Sequence, residues 1–444
     1  MNKILLPNLF FEEELQSIAT AGSPQARRLV AELGPVMGLL AAEETGRSIV
    51  VVDADAQPDD IPPALQRVEF LSRVETAASV FNEYSSAWNV VPWGWSESAV
   101  AILLKTCGQK SIDGWPGLED AGPKPRDFIR STQSSPGHPF NTPNIDVVRM
   151  INSRHFQSQF DAAVAIDGTD RIDAFGTLCH SLSQVETAIE VAAQFSLRGW
   201  VIKADLSHAS RNRLLGNSTE LRCEHLTWLE GRFANGECVY VEPWIERVAE
   251  CGLQFQIRQS APTSNIEFIG AAEMLTDDAG RYRGSVVRSD QTPDSPLNMV
   301  WQPAIEHCRY IATVAAAEGY FGPIGFDCMI FRHSQQNRHW LRVSHDINGR
   351  MTMGRVALSL KRLLEPGETG IWLHTAENSL QQSWKESDDI PQGDVRIERT
   401  SPRLIGGKPA KTATAFVVSG NSELLQAACT RILGQTVKMP TLGR

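Results

Sequence analysis

The chain lacks any apolar run of the roughly 18–20 residues that a membrane-spanning helix needs. Its first residues, MNKILLPNLFFEEEL, reach three glutamates almost at once and show no small-residue cleavage site, so they make a poor signal peptide. No CxxC pair occurs among the eight scattered cysteines, which favours reduced, mostly buried thiols over disulfides or a zinc site. We therefore expect a cytoplasmic protein with no membrane partner.

Basic residues are the minority among the charged ones, with 42 Lys and Arg against 52 Asp and Glu and a net charge of −10. This balance argues against a nucleic acid as the main partner. The signatures of covalent catalysis are missing as well, because there is no GxSxG and no Cys/His pair stands out. The Gly-Gly-Lys in GGKPAKT, at 406–412, is followed by Pro rather than by Ser or Thr, so it is not a Walker loop.

Strands and helices alternate over residues 1–140, which predicts an open α/β layer. SIVVVDADAQP, at 48–58, predicts a buried strand that ends in acidic turn residues. WNVVPWGWSESAVAILLK, at 88–105, predicts a strand, an aromatic turn and a helix. The stretch STQSSPGHPFNTPN, at 131–144, is the best linker candidate. After it, segments with alternating apolar residues predict an α+β middle part with antiparallel hairpins.

A first candidate site lies at the end of the predicted strand HWLRVSHDIN. Side chains alternate along a strand, so Asp346 and Asn348 project to one face. Upstream, FDCMIF places Asp327 on another short strand, and the polar stretch 332–339 joins the two. Paired residue numbers in an antiparallel hairpin sum to a constant. A sum of 673 sets Asp327 opposite Asp346 and centres the turn between positions 336 and 337, within that polar stretch.

Two carboxylates and an amide are hard oxygen ligands, which suit Mg²⁺ held against phosphate oxygens. Ordinary turn and capping chemistry of Asp and Asn stays open as the alternative reading of Asp346 and Asn348. A metal site built from His333, His339 and His345 is a weaker alternative, and surface histidines explain their six-residue spacing better.

A second candidate site is Lys203, near the end of the predicted strand GWVIKAD. A polar loop with Ser207 and Ser210 follows it. A lysine fixed on a strand below such a loop is suited to clamp a polyphosphate, although a lysine at a strand edge that extends to solvent is the open alternative. Further on, Pro243 breaks the ladder after Glu242. Backbone groups freed there could read an adenine edge, and Glu250 could reach a ribose.

In this order, VIKADLSHAS, VYVEPWI, and IGFDCMIF followed by HDINGR resemble the motifs of the ATP-grasp superfamily across about 150–356. The resemblance implies an α+β ATP-grasp fold, in which two α+β lobes with antiparallel sheets hold ATP, preceded by a Rossmann-like α/β pre-ATP-grasp domain. The implied domains are the pre-ATP-grasp domain at 1–140, the N-lobe with its lid at 145–245, the C-lobe with the metal site at 246–360, and a C-terminal extension at 361–444.

The resemblance also implies a role for each matched residue. The implied roles are phosphate binding for Arg154, Lys203, Ser207 and Ser210; adenine and ribose binding for Glu242, Trp244 and Glu250, with the backbone of Val241–Trp244; metal binding for Asp327, Asp346 and Asn348; and contact with the γ-phosphate or the acyl intermediate for Arg350. The chain departs from the family pattern in two ways. Two aspartates stand where glutamate is commoner, and the lid loop carries Arg211 and Arg213 in place of glycines.

The activity implied by the resemblance is an ADP-forming ligase that uses ATP and Mg²⁺, with Mn²⁺ as an alternative ion. A small-molecule carboxylate is activated as an acyl phosphate, and an amine then displaces phosphate to form a C–N bond. Three alternatives stay open: a small-molecule kinase, a thiol ligase, and a non-catalytic nucleotide-sensing protein. A homodimer is a further expectation.

Overall fold

The structure is a computed structural model that describes residues 2–16, 23–41, 46–76, 88–106, 142–196, 198–206, 212–258, 265–289, 296–333, 338–385 and 394–437. The chain divides into two compact units. Unit 1 comprises Met1–Val148, Arg283–Asp290 and Arg350–Met439, and unit 2 comprises Arg149–Tyr282, Gln291–Gly349 and Pro440–Arg444. Among the described helices, none combines the length and the apolar character that crossing a membrane requires.

Within the described residues, the α-helices are α1 (Phe11–Leu15), α2 (Pro24–Leu33), α3 (Glu97–Thr106), α4 (Ile145–Ile151), α5 (Arg154–Ser158), α6 (Leu182–Phe195), α7 (Cys223–Ala234), α8 (Pro296–Ala317), α9 (Met353–Ser359), α10 (Glu377–Lys385) and α11 (Ser422–Leu433). Short 3₁₀ helices cover Gly34–Ala41, Pro63–Leu65 and Leu360–Leu363.

The strands of the same residues are β1 (Asn2–Leu6), β2 (Ser48–Val52), β3 (Glu69–Ser72), β4 (Trp88–Pro92), β5 (Ala162–Ala165), β6 (Arg171–Asp173), β7 (Thr177–Cys179), β8 (Trp200–Ala204), β9 (Arg213–Gly216), β10 (Val239–Pro243), β11 (Glu246–Arg258), β12 (Asn265–Thr276), β13 (Tyr282–Arg288), β14 (Gly322–His333), β15 (Arg338–Asn348), β16 (Thr369–Ala376), β17 (Arg396–Arg399), β18 (Leu404–Ile405), β19 (Lys408–Pro409) and β20 (Thr412–Ser419).

Unit 1 begins with a parallel sheet in the order β3-β2-β1-β4. Strand β1 lies between β2 and β4, with Leu5 paired to Val50 and Ile4 to Val90. All five residues of β2 are buried, as is usual for a parallel strand that is covered on both faces. The strands predicted within 48–58 and 88–105, and the helix that follows the second one, are therefore present. The predicted linker at 131–144 lies almost wholly outside the described residues.

Four further strands of unit 1 pair in antiparallel fashion as part of a sheet, in the order β17-β20-β16-β13. Helix α11 packs against β16 and β20, and Asn421 caps it by accepting from the N–H groups of Glu423 and Leu424. The segment 361–444, predicted as a C-terminal extension, supplies most of these strands. Its inner residues include Trp372, whose ring lies 4.4 Å from that of His374.

Unit 2 contains a small antiparallel sheet in the order β7-β10-β8-β9. Alternation along β8 sends Trp200 and Ile202 into an apolar core with α6 and α7, which leaves Lys203 for the opposite face. The Ser181 side chain caps α6 by accepting from the Gln184 N–H, and this helix covers β10. The apolar residues on this face therefore anchor the strand that carries Lys203.

A longer run of strands in unit 2 has the order β12-β11-β14-β15-β5-β6. Each strand in this run is antiparallel to its neighbours. Its central hairpin is β14–β15, in which Asp327 pairs with Asp346 and Gly325 with Asn348, as predicted. A register shift follows Asp327, so that His333 pairs with Arg338 and the constant sum of 673 does not hold along the whole ladder. The predicted turn centre at 336–337 lies outside the described residues.

Candidate functional site

The paired strands β14 and β15 bring two carboxylates and an amide together. Asp327 and Asp346 are direct partners across the ladder, and the Asn348 amide nitrogen lies 3.5 Å from a carboxylate oxygen of Asp327. Asn348 is almost wholly buried, so its side chain is held in place. The sequence therefore places these three side chains at one end of the hairpin, where strand β15 stops at Asn348.

A glycine on the next strand leaves space beside this cluster. Gly252 of β11 pairs with Asp327, and a Cβ atom at Gly252 would lie 3.7 Å from Oδ1 of Asp327 and 3.0 Å from Nε2 of Gln254. The donor set and this space fit Mg²⁺, which prefers oxygen ligands and binds through one or two carboxylates and substrate phosphates. In the described residues, no three His, Cys, Asp or Glu side chains lie close enough together to hold a metal ion by themselves.

Arg154 binds the Asp346 carboxylate with two nitrogens. Its Nη1 donates to Oδ1 at 2.7 Å and its Nη2 to Oδ2 at 3.2 Å. Arg154 is the first residue of α5, which Ser153 caps through the Phe156 N–H, and its side chain is buried. Burial disfavours the Asp346 carboxylate, yet the charges of Arg154 and Lys203 outweigh burial and hold its pKa below the usual value. The predicted phosphate ligand thus lies directly on the predicted metal ligand.

Lys203 and Glu242 form a buried ion pair across β8 and β10. The Lys203 ammonium lies 2.7 Å from Oε1 of Glu242, and Arg342 donates to Oε2 of the same carboxylate at 2.8 Å. Burial lowers the pKa of Lys203, assisted by the charge of Arg154 and opposed by Glu242. For Glu242, burial is outweighed by Arg342 and Lys203, so its pKa lies well below the usual value. Glu242 is therefore an ionised partner of two cations.

Sequence reasoning missed the other half of this network. Arg342 of β15 also donates to both oxygens of Asp161, at 2.8 and 2.6 Å, and the Tyr240 hydroxyl donates to Asp161 as well. Arg342 and Asp161 are both buried. The signal was present as an arginine inside the apolar run HWLRVS, because a buried guanidinium needs a buried partner. The network ties the small sheet of unit 2 to the hairpin that carries Asp346.

The residues predicted for adenine and ribose have partners within unit 2. The guanidinium groups of Arg213 and Arg247 lie 5.4 and 5.1 Å from the Trp244 ring, and the backbone N–H of Trp244 donates to the Gly199 carbonyl. Glu250 is buried, and it accepts from Arg247 and from the Thr276 hydroxyl. The predicted lid residues Ser207 and Ser210 lie outside the described residues.

Arg350 belongs to unit 1, whereas the Asp327, Asp346 and Asn348 cluster belongs to unit 2. Its Nε donates to Oε1 of Glu12 at 2.5 Å, and its Nη1 donates to the Met351 carbonyl at 3.0 Å. The rings of Phe11 and Trp93 lie 5.8 and 6.0 Å from the guanidinium carbon. Among the described residues, Nη2 of Arg350 has no hydrogen-bond partner, and the side chain is 12% exposed.

No protein-family model and no curated protein matches the chain, but solved structures match over almost its whole length. One is N5-carboxyaminoimidazole ribonucleotide synthetase in complex with ADP, at 12% identity and a TM-score of 0.50, covering 97% of this chain and 95% of that one. Another is N5-carboxyaminoimidazole synthetase from Staphylococcus aureus, at 11% identity and a TM-score of 0.51, covering 98% and 97%. The complex of the latter enzyme with ADP matches at 11% identity and a TM-score of 0.51, covering 97% of this chain and 96% of that one. At these identities the likeness concerns the fold.

Proposed function

The chain has the ATP-grasp fold, and from this premise we propose that it is an ATP- and Mg²⁺-dependent ligase that forms a C–N bond and releases ADP. Its first substrate is a small-molecule carboxylate and its second an amine. We also assign the parallel sheet of unit 1 to a Rossmann-like pre-ATP-grasp domain, which is supported by the order β3-β2-β1-β4.

The observation that carries the proposal is the cluster of opposite charges in unit 2. Asp327, Asp346 and Asn348 offer oxygen donors at one hairpin end, and Arg154 and Lys203 both act on the Asp346 carboxylate. Phosphoryl transfer between anions needs cations around the spreading charge, and this chain supplies them from two rigid elements, α5 and β8. These cations and oxygen donors are sufficient for the reaction without a covalent nucleophile. We place the proposed ligase in the cytoplasm.

In the proposed reaction, an oxygen of the substrate carboxylate attacks the γ-phosphorus of ATP and the bond to ADP breaks. The amine nitrogen then attacks the acyl carbon, loses a proton, and phosphate leaves. Lys203 and Arg154 bind phosphate oxygens. For Arg350 we keep the role that the family resemblance implies, which is contact with the γ-phosphate or the acyl intermediate. Asp327, Asp346 and Asn348 would hold Mg²⁺, which neutralises charge on the β- and γ-phosphates when bound. Ser207, Ser210, Glu242, Trp244 and Glu250 keep the nucleotide-binding roles stated above.

Calorimetric titration with ATP and MgCl₂ tests the nucleotide site. We expect the wild type to bind Mg·ATP and Asp327→Asn to lose the Mg²⁺-dependent part of the affinity. Asp173→Asn is the matched control, because its side chain is 73% exposed and pairs only with the neighbouring Arg171 among the described residues. A wild type that does not bind Mg·ATP rules the proposal out.

The reaction class needs a second experiment. ADP release is measured against a panel of carboxylates paired with amines, and the products are identified by mass spectrometry. A condensed product with one ADP per bond supports the ligase. A phosphorylated product without condensation would instead identify a kinase, and binding without turnover would favour a nucleotide-sensing protein.

A further inference from the structure

Unit 1 contains a cavity of about 320 Å³ at the carboxyl ends of its parallel strands. The chain leaves β1 for β2 on one side and later returns to β4 on the other, so the cavity adjoins the place where the strand order reverses. Ligands of open parallel sheets bind at such places. Its walls are mainly apolar and include Leu9, Val30, Ala31 and Val52. The volume lies within the range of roughly 300–1,000 Å³ for small-molecule sites.

One carboxylate in this wall is held by three donors that all use the same oxygen. Oε2 of Glu14 accepts from the hydroxyls of Ser96 and Ser98, both at 2.5 Å, and from the Asn8 amide at 3.5 Å. Among the described residues, Oε1 of Glu14 has no hydrogen-bond partner, and no cation forms an ion pair with this side chain. An oriented carboxylate with one oxygen to spare is suited to accept from an ammonium group.

The loops around Glu14 are fixed before any ligand arrives. Asn8 donates to the Gly94 carbonyl at 2.7 Å and accepts from the Gly94 N–H at 3.3 Å, which joins the loop after β1 to the loop after β4. Gly94 is required there, since a Cβ atom would lie 2.4 Å from the ring of Phe11. Ser96 also accepts from the Ala99 N–H at the start of α3. Ligand binding therefore costs little conformational entropy in these loops.

The rim of the cavity carries charges of both signs. Arg27 and Arg73 line it together with Asp53, and Arg73 lies 3.6 Å from the Asp53 carboxylate. We propose that this cavity binds a small apolar amino compound, of the class of apolar α-amino acids. The ammonium group donates to Oε1 of Glu14, the apolar side chain packs against Val30, Ala31 and Val52, and the carboxylate lies at the arginines of the rim. This site does not depend on the ligase proposal, because it is measured without nucleotide.

The test is calorimetric titration of the full chain with L-leucine and L-phenylalanine, beside 4-methylpentanoate, which lacks the amino group. We expect the amino acids to bind and 4-methylpentanoate to bind at least ~10-fold more weakly. Glu14→Gln should weaken amino-acid binding by at least ~10-fold as well, since it removes the charge and keeps an acceptor for the two serines. Glu224→Gln is the matched control, because that side chain is 67% exposed in unit 2.

A second variant tests the cavity without touching the carboxylate. Ala31→Leu should fill the space and abolish amino-acid binding, while the thermal unfolding midpoint confirms that the chain still folds. The proposal is overturned if neither amino acid binds at millimolar concentration, if 4-methylpentanoate binds equally well, or if both variants bind like the wild type. Mg·ATP is titrated into the same proteins, so that loss of nucleotide binding alone counts against the ligase proposal only.

Discussion

Arg350 and Glu12 form an ion pair that is 338 positions apart in sequence and shielded from water on most sides. The side chains are 12% and 5% exposed, and the guanidinium also lies near two aromatic rings. This pair, together with the Nη1 bond to the Met351 carbonyl, fixes the position of the guanidinium. Glu12 is therefore a positioning residue for Arg350, and it lies in α1, two residues before the cavity carboxylate Glu14.

Glu12→Gln should lower the free energy of unfolding by about 2–4 kcal/mol, because it leaves a mostly buried guanidinium without its counter-charge. Urea unfolding measures this, with the exposed Glu423→Gln of the same unit as control. In a double-mutant cycle with Arg350→Gln, the two losses should not add. Strict additivity would show that the pair contributes nothing as a pair.

Much of the fold around the Asp327, Asp346 and Asn348 cluster could be predicted from the sequence, because strand alternation and hairpin arithmetic are local rules. They placed Asp327 opposite Asp346 and Asn348 beside them. They could not place Arg342, Asp161 or Arg154, since their partners are far away in sequence. Arg342 is 181 positions from Asp161 and 100 from Glu242, and Arg154 is 192 positions from Asp346. The bulge after Asp327 was also beyond local rules, as it depends on how β14 and β15 pack against their neighbours.

Arg342→Met should destabilise unit 2 by about 3–5 kcal/mol, because Asp161 and Glu242 would both lose a buried counter-charge. Chemical denaturation measures the loss. Arg258→Met on β11 is the matched control, since Arg258 is 61% exposed, pairs with Glu267 across the ladder, and should change stability by about 0–1 kcal/mol. If the two variants lowered the free energy of unfolding equally, the Arg342 network would not stabilise unit 2.

Asp346→Asn should destabilise the chain more than Asp327→Asn, because only the first variant takes the counter-charge from the buried Arg154. The expected difference is about 1–3 kcal/mol by urea unfolding. Adding Arg154→Gln to Asp346→Asn should recover part of the loss, since no unpaired charge then remains. If the two aspartate variants unfold alike, the Arg154 pair has no net effect on stability.

Lys203→Met should raise the Kd for Mg·ATP about 30- to 150-fold, which corresponds to roughly 2–3 kcal/mol for a lost charge-assisted contact to phosphate. The fold should survive, because Glu242 keeps Arg342 as a partner. Calorimetry measures the affinity, and the exposed Lys408→Met serves as control. An unchanged Kd would remove Lys203 from the nucleotide site.

Because of His374, the free energy of unfolding of unit 1 should fall at acidic pH. Burial lowers its pKa to about 3 in the folded protein, whereas an unfolded histidine has a pKa near 6.5. Between these values the unfolded chain binds a proton that the folded chain does not, so stability falls as the pH drops below about 6.5. The loss should reach roughly 1–2 kcal/mol at pH 5. His374→Phe should flatten this limb of the pH profile of urea unfolding, and the exposed His180→Gln should leave it unchanged. A profile that keeps its slope in His374→Phe would assign the acid limb to other groups.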